Sequence, residues 1–432
     1  MTELAESPLA AGDRNLSVAQ ARAAIAAALQ PIADTETVAL AQALGRVLAA
    51  DVISPIDVPA HDNSAMDGYA FRGSELQPGA TTTLHAVGTL FAGAPWAGSV
   101  GAGQCLRIMT GAVMPAGLDT VVPLELCRVD GEAVLVDAGV MRPGDNRRRR
   151  GEDLAAGRPA LLAGRVLKPA DLGLVASLGV GEVSVRRRLR VALFSTGDEL
   201  RTLGQPLDAG SVYDSNRYSL MGALQRLGME VIDLGLVRDD PLALQATLEA
   251  AVAQADVVLT SGGVSMGDAD HTRDVLARLG EVAFWKVAMR PGRPFAFGPL
   301  SSAGKGAGKR EGGAPPCWLF ALPGNPVAAL VTFYAFARDA LLQLAGASPQ
   351  PLPVLQARCT SALRKRPGRT EFQRGIVEPA GDGGWQVRLT GSQGAGVLRS
   401  MSEANALVVL GHEQGSVAEG GFVDVWLFDG LV

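Results

Sequence analysis

The hydrophobic pattern is clearest in the middle of the chain, from Arg190 to about Ala345, where short apolar runs alternate with helical repeats. Short apolar runs predict buried strands, and apolar residues spaced three or four apart predict amphipathic helices. Strands that alternate with helices form a mostly parallel sheet with helices on both faces. The predicted strands are Val191–Phe194, Val231–Leu236, Val257–Thr260, Val282–Trp285 and Trp318–Leu322, and the predicted helices are Tyr218–Leu227, Leu242–Ala253, Thr272–Leu279 and Pro326–Leu342.

The N-terminal half has a different pattern. An Ala-rich helix, Ser17–Gln30, begins with a serine in the N-cap position, and Leu40–Ala50 carries a second helical pattern. From residue 61 to about 150, short β-rich runs alternate with Gly and Pro turns, which predicts a small β-rich unit. The helical pattern returns over Leu154–Val180. We interpret the β-rich unit as an insertion within one elongated domain.

The C-terminal part, from Pro351 onward, has short alternating runs that predict a small β-barrel or sandwich. The 432 residues of the chain allow about three or four domains. The predicted fold class is therefore multidomain α/β plus β, with a three-layer α/β domain. The predicted boundaries are a flexible tail over 1–16, an elongated discontinuous domain over 17–57 and 152–186, an inserted β-rich domain over 58–151, an α/β domain over 187–345 with a flexible loop over 301–316, and a C-terminal β-barrel over 346–432.

Composition and charge narrow the class of protein. Apolar residues make up 47% and the formal net charge is 39 − 44 = −5, which excludes a disordered chain. The weak negative charge gives no overall attraction to nucleic acid or to an anionic membrane, and we expect neither as a partner. The four cysteines form no CxxC pair, which argues against a disulfide framework or a zinc site. No signal peptide or span-length apolar run is evident, so we expect a soluble, cytoplasmic protein.

The loops that follow the predicted α/β strands are rich in glycine and acidic residues. They are Ser195–Leu200, Arg238–Pro241, Thr260–Asp270 and Leu322–Pro326. Ligands of such sheets bind beyond the carboxyl ends of the strands, and glycine lets backbone N–H groups approach an anion. The carboxylates would repel that anion unless a hard cation such as Mg²⁺ lies between them. Each acidic residue alone could be a cap or turn residue, but four such loops together favour a site for phosphate and metal.

Two cations follow another predicted strand. Strand alternation would send Lys286, Ala288 and Arg290 to one side, where the two cations could bind phosphate or another oxyanion. A solvated charged edge is the alternative. The basic run Arg147–Arg150 is open to the same two interpretations. No Walker P-loop is present, which excludes the usual P-loop NTPases.

Eight short motifs follow one another along the chain. They are Asp62–Ala70, Ile108–Ala112, Arg149–Asp153, Phe194–Leu200, Arg238–Pro241, Thr260–Asp270, Phe284–Gly298 and Leu322–Pro326. In this order they resemble the molybdopterin molybdenumtransferase family, which comprises bacterial MoeA and the C-terminal region of gephyrin. The resemblance extends from about Ser17 to the C-terminus.

The resemblance implies a molybdopterin-binding α/β domain and an enzyme of molybdenum cofactor biosynthesis. Such an enzyme inserts molybdenum from molybdate into adenylyl-molybdopterin and releases AMP, with Mg²⁺ as cofactor. The family's members are elongated homodimers whose active site lies in a cleft between subunits. Transient contact with other proteins of molybdenum cofactor biosynthesis is also implied.

The resemblance also assigns residues to this cleft. Glu199 and Asp239 are expected to position Mg²⁺, and Arg290 stands where many relatives have Lys. The assignments to Arg369 and Ser392 come from short C-terminal matches. The implied catalytic residues are Asp62, Thr110, Asp153, Glu199, Asp239 and Asp270, and the implied substrate-binding residues are Ser195, Thr196, Gly197, Ser261, Gly262, Gly263, Ser265, Lys286, Arg290, Pro323, Gly324, Asn325, Pro326, Arg369 and Ser392.

Two other functions remain open from the sequence. A dimeric scaffold that binds a peptide, as the related region of gephyrin does, would not require the acidic residues. A molybdopterin adenylyltransferase shares the α/β domain, but such proteins typically consist of that domain alone. The sequence therefore favours the molybdenum-inserting enzyme.

Overall fold

The computed structural model describes residues 15–263, 275–276, 278–301, 315–350 and 352–429. The predicted tail up to residue 14, residues 302–314 of the predicted loop, and the candidates Ser265 and Asp270 lie outside these ranges. The elements of the N-terminal part are β1 (Asn15–Leu16), α1 (Val18–Ala28), β2 (Thr35–Ala39), β3 (Val52–Ile53), β4 (Asn63–Ser64), β5 (Gly68–Phe71), β6 (Thr82–Leu90), β7 (Gln104–Ile108), β8 (Thr120–Pro123), β9 (Arg128–Asp130), β10 (Ala133–Val136), β11 (Arg147–Arg148), β12 (Pro159–Leu161), α2 (Pro169–Ser177) and β13 (Glu182–Arg186).

Helix α1 begins where the sequence predicts it. The Ser17 hydroxyl accepts a hydrogen bond from the Gln20 amide at 3.2 Å, and the Gln20 side chain accepts one from the Ser17 amide at 2.9 Å. This reciprocal capping box satisfies two backbone donors that the first helical turn leaves unpaired. The buried face of α1 packs into the core of the α/β unit.

The helix predicted over Leu40–Ala50 is wrong: the structure has one 3₁₀ turn, Leu40–Gln42, followed by extended chain. Gly45 adopts φ +72°, a left-handed conformation that ends a helix. The Gly45 amide donates to the Leu167 carbonyl at 2.9 Å, and the Leu48 amide donates to the Arg165 carbonyl at 2.9 Å. Pairing with a distant segment therefore overrides the local helical pattern.

The two halves of the elongated unit pair with each other across the inserted residues. Strand β2 is antiparallel to β13, and β3 is antiparallel to β12. One apolar core contains residues from both halves, including Leu48 and Val175. The residues between the halves form a six-stranded sheet in the order β8-β5-β7-β6-β10-β9. The predicted β-rich insertion is confirmed as an architecture, and its exact boundaries stay predictions.

The α/β unit follows β13. Each of its predicted strands corresponds to a strand of the structure, and the predicted helices over 218–227, 242–253 and 326–342 are present within a few residues. Its elements are β14 (Arg190–Thr196), β15 (Leu200–Arg201), β16 (Val212–Tyr213), α3 (Asn216–Arg226), β17 (Glu230–Val237), α4 (Pro241–Gln254), β18 (Val257–Ser261), β19 (Ala283–Val287), β20 (Met289–Arg290), β21 (Pro294–Leu300), β22 (Cys317–Leu322), α5 (Pro326–Thr332) and α6 (Arg338–Leu344).

The central sheet has the strand order β1-β19-β21-β22-β18-β14-β17 among the described residues. Strands β22, β18, β14 and β17 are parallel, and β21 is antiparallel to both of its neighbours. Successive residues of β14 enter two different cores: Val191 and Leu193 pack with α1, α3, α5 and α6, whereas Ala192 and Phe194 pack with α4. This alternation confirms the predicted three-layer arrangement, in which helices bury both faces of the sheet.

A long helical stretch, Pro326–Leu344, contains α5, a π-helical segment and α6. By length and composition it could cross a membrane, which differs from the expectation that no apolar run approaches that length. Its most apolar window has a mean hydropathy of 1.4 and is 78% buried within the protein. An apolar helix surrounded by protein in this way is typical of a domain core.

The C-terminal unit is a closed barrel, one of the two predicted architectures. Strand β24 pairs with β25, β25 with β23, β23 with β27, β27 with β26, and β26 returns to β24. Strand β20 of the α/β unit runs parallel to β24 and so attaches the barrel. The elements are β23 (Leu355–Cys359), β24 (Thr370–Pro379), β25 (Trp385–Leu389), α7 (Leu398–Glu403), β26 (Ala406–Leu410) and β27 (Phe422–Leu427).

Candidate active site

The glycine- and acid-rich loops meet at one edge of the central sheet. Strands β17, β14, β18 and β22 are parallel neighbours, so their carboxyl ends lie side by side. Ser195 is paired with Ser261, and Ser261 with Leu322. The structure thus brings together the predicted substrate-binding residues that follow β14, β18 and β22, at the edge where such sheets bind ligands.

Gly262 lies in close contact with the end of β14. A Cβ atom on Gly262 would lie 2.2 Å from the carbonyl oxygen of Thr196, and Gly262 has φ +95°. The Gly262 amide donates to the Leu322 carbonyl at 3.0 Å, which continues the pairing of β18 with β22. Only glycine fits this conformation and this spacing. The hydroxyl of Thr196 is buried there and has no hydrogen-bond partner among the described residues.

Ser195 is buried rather than open to a ligand, with 1% of its surface exposed. Its hydroxyl donates to a carboxylate oxygen of Asp214 at 3.0 Å. Asp214 in turn accepts from Nε of Arg217 at 3.0 Å, and Arg217 also donates to Asp233 at 2.5 Å. The Ser195 side chain therefore fixes the end of β14 to the start of α3.

Glu199 and Asp239 are both exposed and follow the adjacent strands β14 and β17. Neither carboxylate has a hydrogen bond or ion pair with another described residue. Within the described ranges, no cluster of three or more His, Cys, Asp and Glu side chains is arranged to hold a metal. Mg²⁺ is commonly held by one or two carboxylates together with water and substrate phosphates, so two unpaired carboxylates beside a phosphate-type loop fit that ion.

A cavity of about 360 Å³ lies between the α/β unit and the barrel. Arg290, Pro323 and Asn325 line it from the α/β unit, and Arg369 lines it from the barrel. Arg293 is a third arginine of the lining. Nε of Arg369 donates to Glu371 at 2.8 Å, which holds that arginine at the rim. Three guanidinium groups beside one loop are suited to an oxyanion, because each offers paired N–H donors.

Lys286 is placed differently from Arg290. It is half-buried on β19, where it pairs in register with Pro294, and it is absent from the described lining of the cavity. The alternation that predicts both cations on one side is interrupted, because β19 ends at Val287 and β20 begins at Met289.

Arg374 supports the loop that contains Ser392. It is fully buried, and one terminal nitrogen donates to the carbonyls of Ser392 at 3.2 Å and Gly394 at 3.0 Å. Its Nε donates to the Ser400 hydroxyl at 3.0 Å. Burial, together with the nearby positive charge of Arg290, lowers the pKa of Arg374 to about 10. Arg374 also lines a second cavity of about 230 Å³, which shares Arg290 with the first.

The remaining candidates form a separate group on the β-rich and elongated units. One oxygen of Asp62 accepts from the Arg150 amide at 2.8 Å, and its other oxygen lies 3.7 Å from Arg147. These three residues line a cavity of about 560 Å³. Asp153 is exposed, and its amide donates to the Val58 carbonyl at 3.1 Å. One cation of the basic run, Arg147, therefore lies beside Asp62, whereas the guanidinium of Arg150 pairs with Asp57 at 2.6 Å.

Thr110 belongs to the same group. Its amide and its hydroxyl both donate to one carboxylate oxygen of Asp67, each at 2.7 Å. These hydrogen bonds, first from the amide and then from the hydroxyl, lower the pKa of Asp67. The Gly111 amide donates to Ser64 at 2.8 Å, which holds the Thr110 loop beside the strand that follows Asp62.

Comparisons with known proteins identify the family of this chain. The MoeA N-terminal region (domain I and II) matches residues 16–179, a probable molybdopterin binding domain matches 192–343, and the MoeA C-terminal region (domain IV) matches 356–428. A molybdopterin molybdenumtransferase of Haemophilus influenzae is 41% identical over 418 residues, which cover 96% of this chain and 100% of that protein. The chain belongs to the MoeA family. A Nostoc protein of the same name is 38% identical, with coverage of 87% of this chain and 85% of that protein.

Solved structures of the MoeA family share the whole fold. A crystal structure of the molybdopterin biosynthesis moeA protein from Pyrococcus horikoshii OT3 superposes with a TM-score of 0.79 at 26% identity. It covers 96% of this chain and 100% of that chain. A second structure of the Pyrococcus horikoshii protein has a TM-score of 0.72 at 30% identity, with coverage of 96% and 99%.

Sequence reasoning missed several residues of this candidate site. Asp67 lies inside a recognised motif, but nothing in the sequence marks it as the partner of Thr110. Arg293 lies in the same motif as Arg290, and only its positive charge could have marked it as a candidate for the site. Arg374 and Asn216 act through distant backbone groups, which no local spacing reveals.

Proposed function

We propose that this chain is a transferase, a molybdopterin molybdenumtransferase that inserts molybdenum from molybdate into adenylyl-molybdopterin and releases AMP. One observation carries the proposal: the loop that begins at Pro323 borders the arginine cavity and also contacts the end of β18. Pro323 and Asn325 line the arginine cavity, while the Pro323 carbonyl contacts the Ser261 hydroxyl at 3.3 Å. A reaction that joins molybdate to a substrate carrying a pyrophosphate needs two anion sites this close together.

The arginine cavity is the proposed molybdate site. Arg290 and Arg369 would bind oxygens of the tetrahedral oxyanion, and Arg293 would add charge. The glycine loops after β14, β18 and β22 would bind the pyrophosphate of adenylyl-molybdopterin through backbone N–H groups. The dithiolene would then lie near the bound molybdate, so that binding alone supplies much of the required orientation.

Mg²⁺ is part of the proposal as a cofactor. Glu199 and Asp239 would hold it, because both are unpaired hard-oxygen ligands at the phosphate side of the sheet. When bound, Mg²⁺ would offset the negative charge that develops as AMP leaves. Thr196 and the backbone of Gly262 would hold the phosphate in place, and the Ser195–Asp214 hydrogen bond would keep the loop rigid.

A homodimer completes the proposed site. Among the described residues, no hydrogen bond or ion pair connects the Asp62, Thr110 and Asp153 group with the sheet-edge loops. We infer that this group faces the sheet edge of a second subunit. Mixing Glu199→Ala and Asp62→Ala proteins should restore activity in heterodimers, which would retain one intact site. Mixtures that stay inactive although heterodimers form would disprove a shared site.

The central experiment measures AMP release from adenylyl-molybdopterin by the purified protein. We expect turnover that depends on both molybdate and Mg²⁺ and that Arg290→Ala weakens. The variant Arg358→Ala is the matched control, because Arg358 forms an exposed ion pair with Asp382 on the barrel. Molybdate-independent turnover, or formation of adenylyl-molybdopterin from ATP, would favour an adenylyltransferase instead. A protein that binds no substrate would support a scaffold.

A further inference from the structure

The side chain of Asn216 bridges two ligand loops that are distant in sequence. Its Nδ2 donates to the Ser261 hydroxyl at 2.7 Å and to the Gly324 carbonyl at 2.7 Å. Ser261 ends β18, Gly324 follows β22, and Asn216 is the first residue of α3. One amide group therefore joins three segments at the ligand edge of the sheet.

The partners determine the orientation of the amide. A carbonyl can only accept, so the nitrogen of Asn216 must face Gly324. The Ser261 hydroxyl accepts from the same nitrogen and can then donate its own hydrogen to the Pro323 carbonyl, 3.3 Å away. Both N–H groups of Asn216 are used, and every hydrogen in this chain of hydrogen bonds has an acceptor.

The bridge supplements a weak contact between the loops. The backbone pairing of β18 with β22 ends at the Gly262 amide and the Leu322 carbonyl. Beyond it, a Cβ atom on Gly324 would have only the Cα of Gly262 within 4 Å, at 3.8 Å. The long Ser261–Pro323 hydrogen bond also joins the loops, but among the described contacts only the Asn216 amide reaches Gly324 with a hydrogen bond, so it holds Gly324 at a fixed distance from Ser261.

We propose that Asn216 is a positioning residue that sets the width of the cleft between the Ser261–Gly263 and Pro323–Pro326 loops. The inference rests on the proposed function, because those loops are the proposed pyrophosphate and molybdate sides. Asn216 holds the Gly324 carbonyl away from the bound anions and keeps Pro323 and Asn325 at the arginine cavity. Without it, the two anion sites lose their fixed separation.

The test compares Asn216→Ala with a matched control, Gln343→Ala. Gln343 is also a half-buried primary amide whose nitrogen donates to two carbonyls, those of Ala26 at 2.9 Å and Leu29 at 3.1 Å, but it lies between α6 and α1. Both variants lose the same number of hydrogen bonds. A purely structural role for Asn216 therefore predicts the same thermal shift and the same kinetics for the two proteins.

We expect a similar melting temperature for the two variants but different kinetics. Asn216→Ala should raise the KM for adenylyl-molybdopterin and lower kcat/KM by about one to two orders of magnitude, because small misplacements of bound groups are costly. Amide hydrogen exchange at Gly262, whose amide donates to the Leu322 carbonyl between the two loops, should accelerate in Asn216→Ala alone. Asn216→Asp should be no better than alanine at neutral pH, since a carboxylate cannot donate to Gly324.

Two outcomes would overturn the inference. One is a kcat/KM for Asn216→Ala equal to that of Gln343→Ala, and the other is unchanged exchange of the Gly262 amide. The failure of the proposed function is a separate result, because the wild-type protein would then release no AMP in response to molybdate. The exchange measurement needs no substrate and still tests the loop spacing in that case.

Discussion

Thr110 donates both its amide hydrogen and its hydroxyl hydrogen to a single carboxylate oxygen of Asp67, each across 2.7 Å. Two donors on one residue fix both the backbone and the side-chain rotamer of Thr110. Because the hydroxyl hydrogen is used, the Thr110 oxygen has only lone pairs left for another partner. In the proposed site, Thr110 therefore accepts a hydrogen bond from the substrate rather than donating one.

Replacing Asp67 by asparagine should impair activity more than stability. In Asp67→Asn, a neutral amide oxygen accepts the two Thr110 hydrogen bonds more weakly than the carboxylate does, so Thr110 is held less firmly. We expect kcat/KM for AMP release to fall by about 10- to 100-fold, since orientation at the reacting centre is lost. Asp137→Asn is the control, because the Thr81 hydroxyl donates to Asp137 at 3.0 Å on the same unit. Equal activity of the two variants would contradict the role assigned to Thr110.

The same pair predicts a pH dependence. Hydrogen bonds from Thr110 lower the pKa of Asp67 in the folded protein, so its unfolded value is the higher one. The stabilisation is therefore present above the unfolded pKa and is lost as the pH falls through the folded pKa. Unfolding measured between pH 7 and pH 2 should show that the wild-type protein loses this advantage over Asp67→Asn only below about pH 4. A loss near pH 6 would require a different group.

The sequence predicted the α/β layers well because their signal is local. In β14 and β18 alternate residues point to two cores, and such runs are apolar wherever both faces are buried. The helix prediction for Leu40–Ala50 was wrong because the backbone of that segment pairs with residues more than a hundred positions away. The Asn216 and Arg374 contacts were missed for the same reason. Contacts between distant segments leave no periodic trace in the sequence.

Substituting alanine for Gly262 should destabilise the protein and shift the loop that contains this residue. A methyl group in Gly262→Ala would meet the Thr196 carbonyl at 2.2 Å, and the backbone already has φ +95°. We expect the free energy of unfolding to fall by about 3 kcal/mol, from left-handed strain plus overpacking. AMP release should decline as well, because the loop must shift.

A substitution at Gly210 separates the cost of backbone strain from the cost of a steric contact. Gly210 has φ +87°, but no atom lies within 4 Å of the position that an alanine methyl group would occupy there. Gly210→Ala should therefore cost only the strain, about 1 kcal/mol, with normal activity. Chemical denaturation of both variants, with AMP release as the second readout, makes the comparison. If the two proteins lose equal stability, the close approach to Thr196 is not what requires glycine.

Substitutions of Arg290 test whether the arginine cavity binds molybdate through its positive charge. Arg290→Ala should weaken molybdate binding by about 10- to 100-fold, because hydrogen bonds between charged groups contribute about 1.5–3 kcal/mol. Arg290→Lys keeps the charge but loses the paired donors, so we expect an intermediate affinity. Isothermal titration with molybdate measures both. Arg358→Ala, which removes an exposed ion pair with Asp382 on the barrel, should leave binding unchanged. Unchanged binding in Arg290→Ala would exclude this cavity as the molybdate site.

Substituting Arg374 tests whether the barrel loop that contains Ser392 must be held in place for molybdate to bind. It has no carboxylate partner among the described residues, and its buried donors instead hold the carbonyls of Ser392 and Gly394. Arg374→Lys keeps a positive charge but cannot reach Ser400, Ser392 and Gly394 with one planar group. We expect a loss of about 2 kcal/mol in unfolding free energy and weaker molybdate binding. Arg358→Lys, a charge-conserving change on the barrel surface, should alter neither quantity. If Arg374→Lys lost stability but bound molybdate normally, the loop that contains Ser392 would not belong to the site.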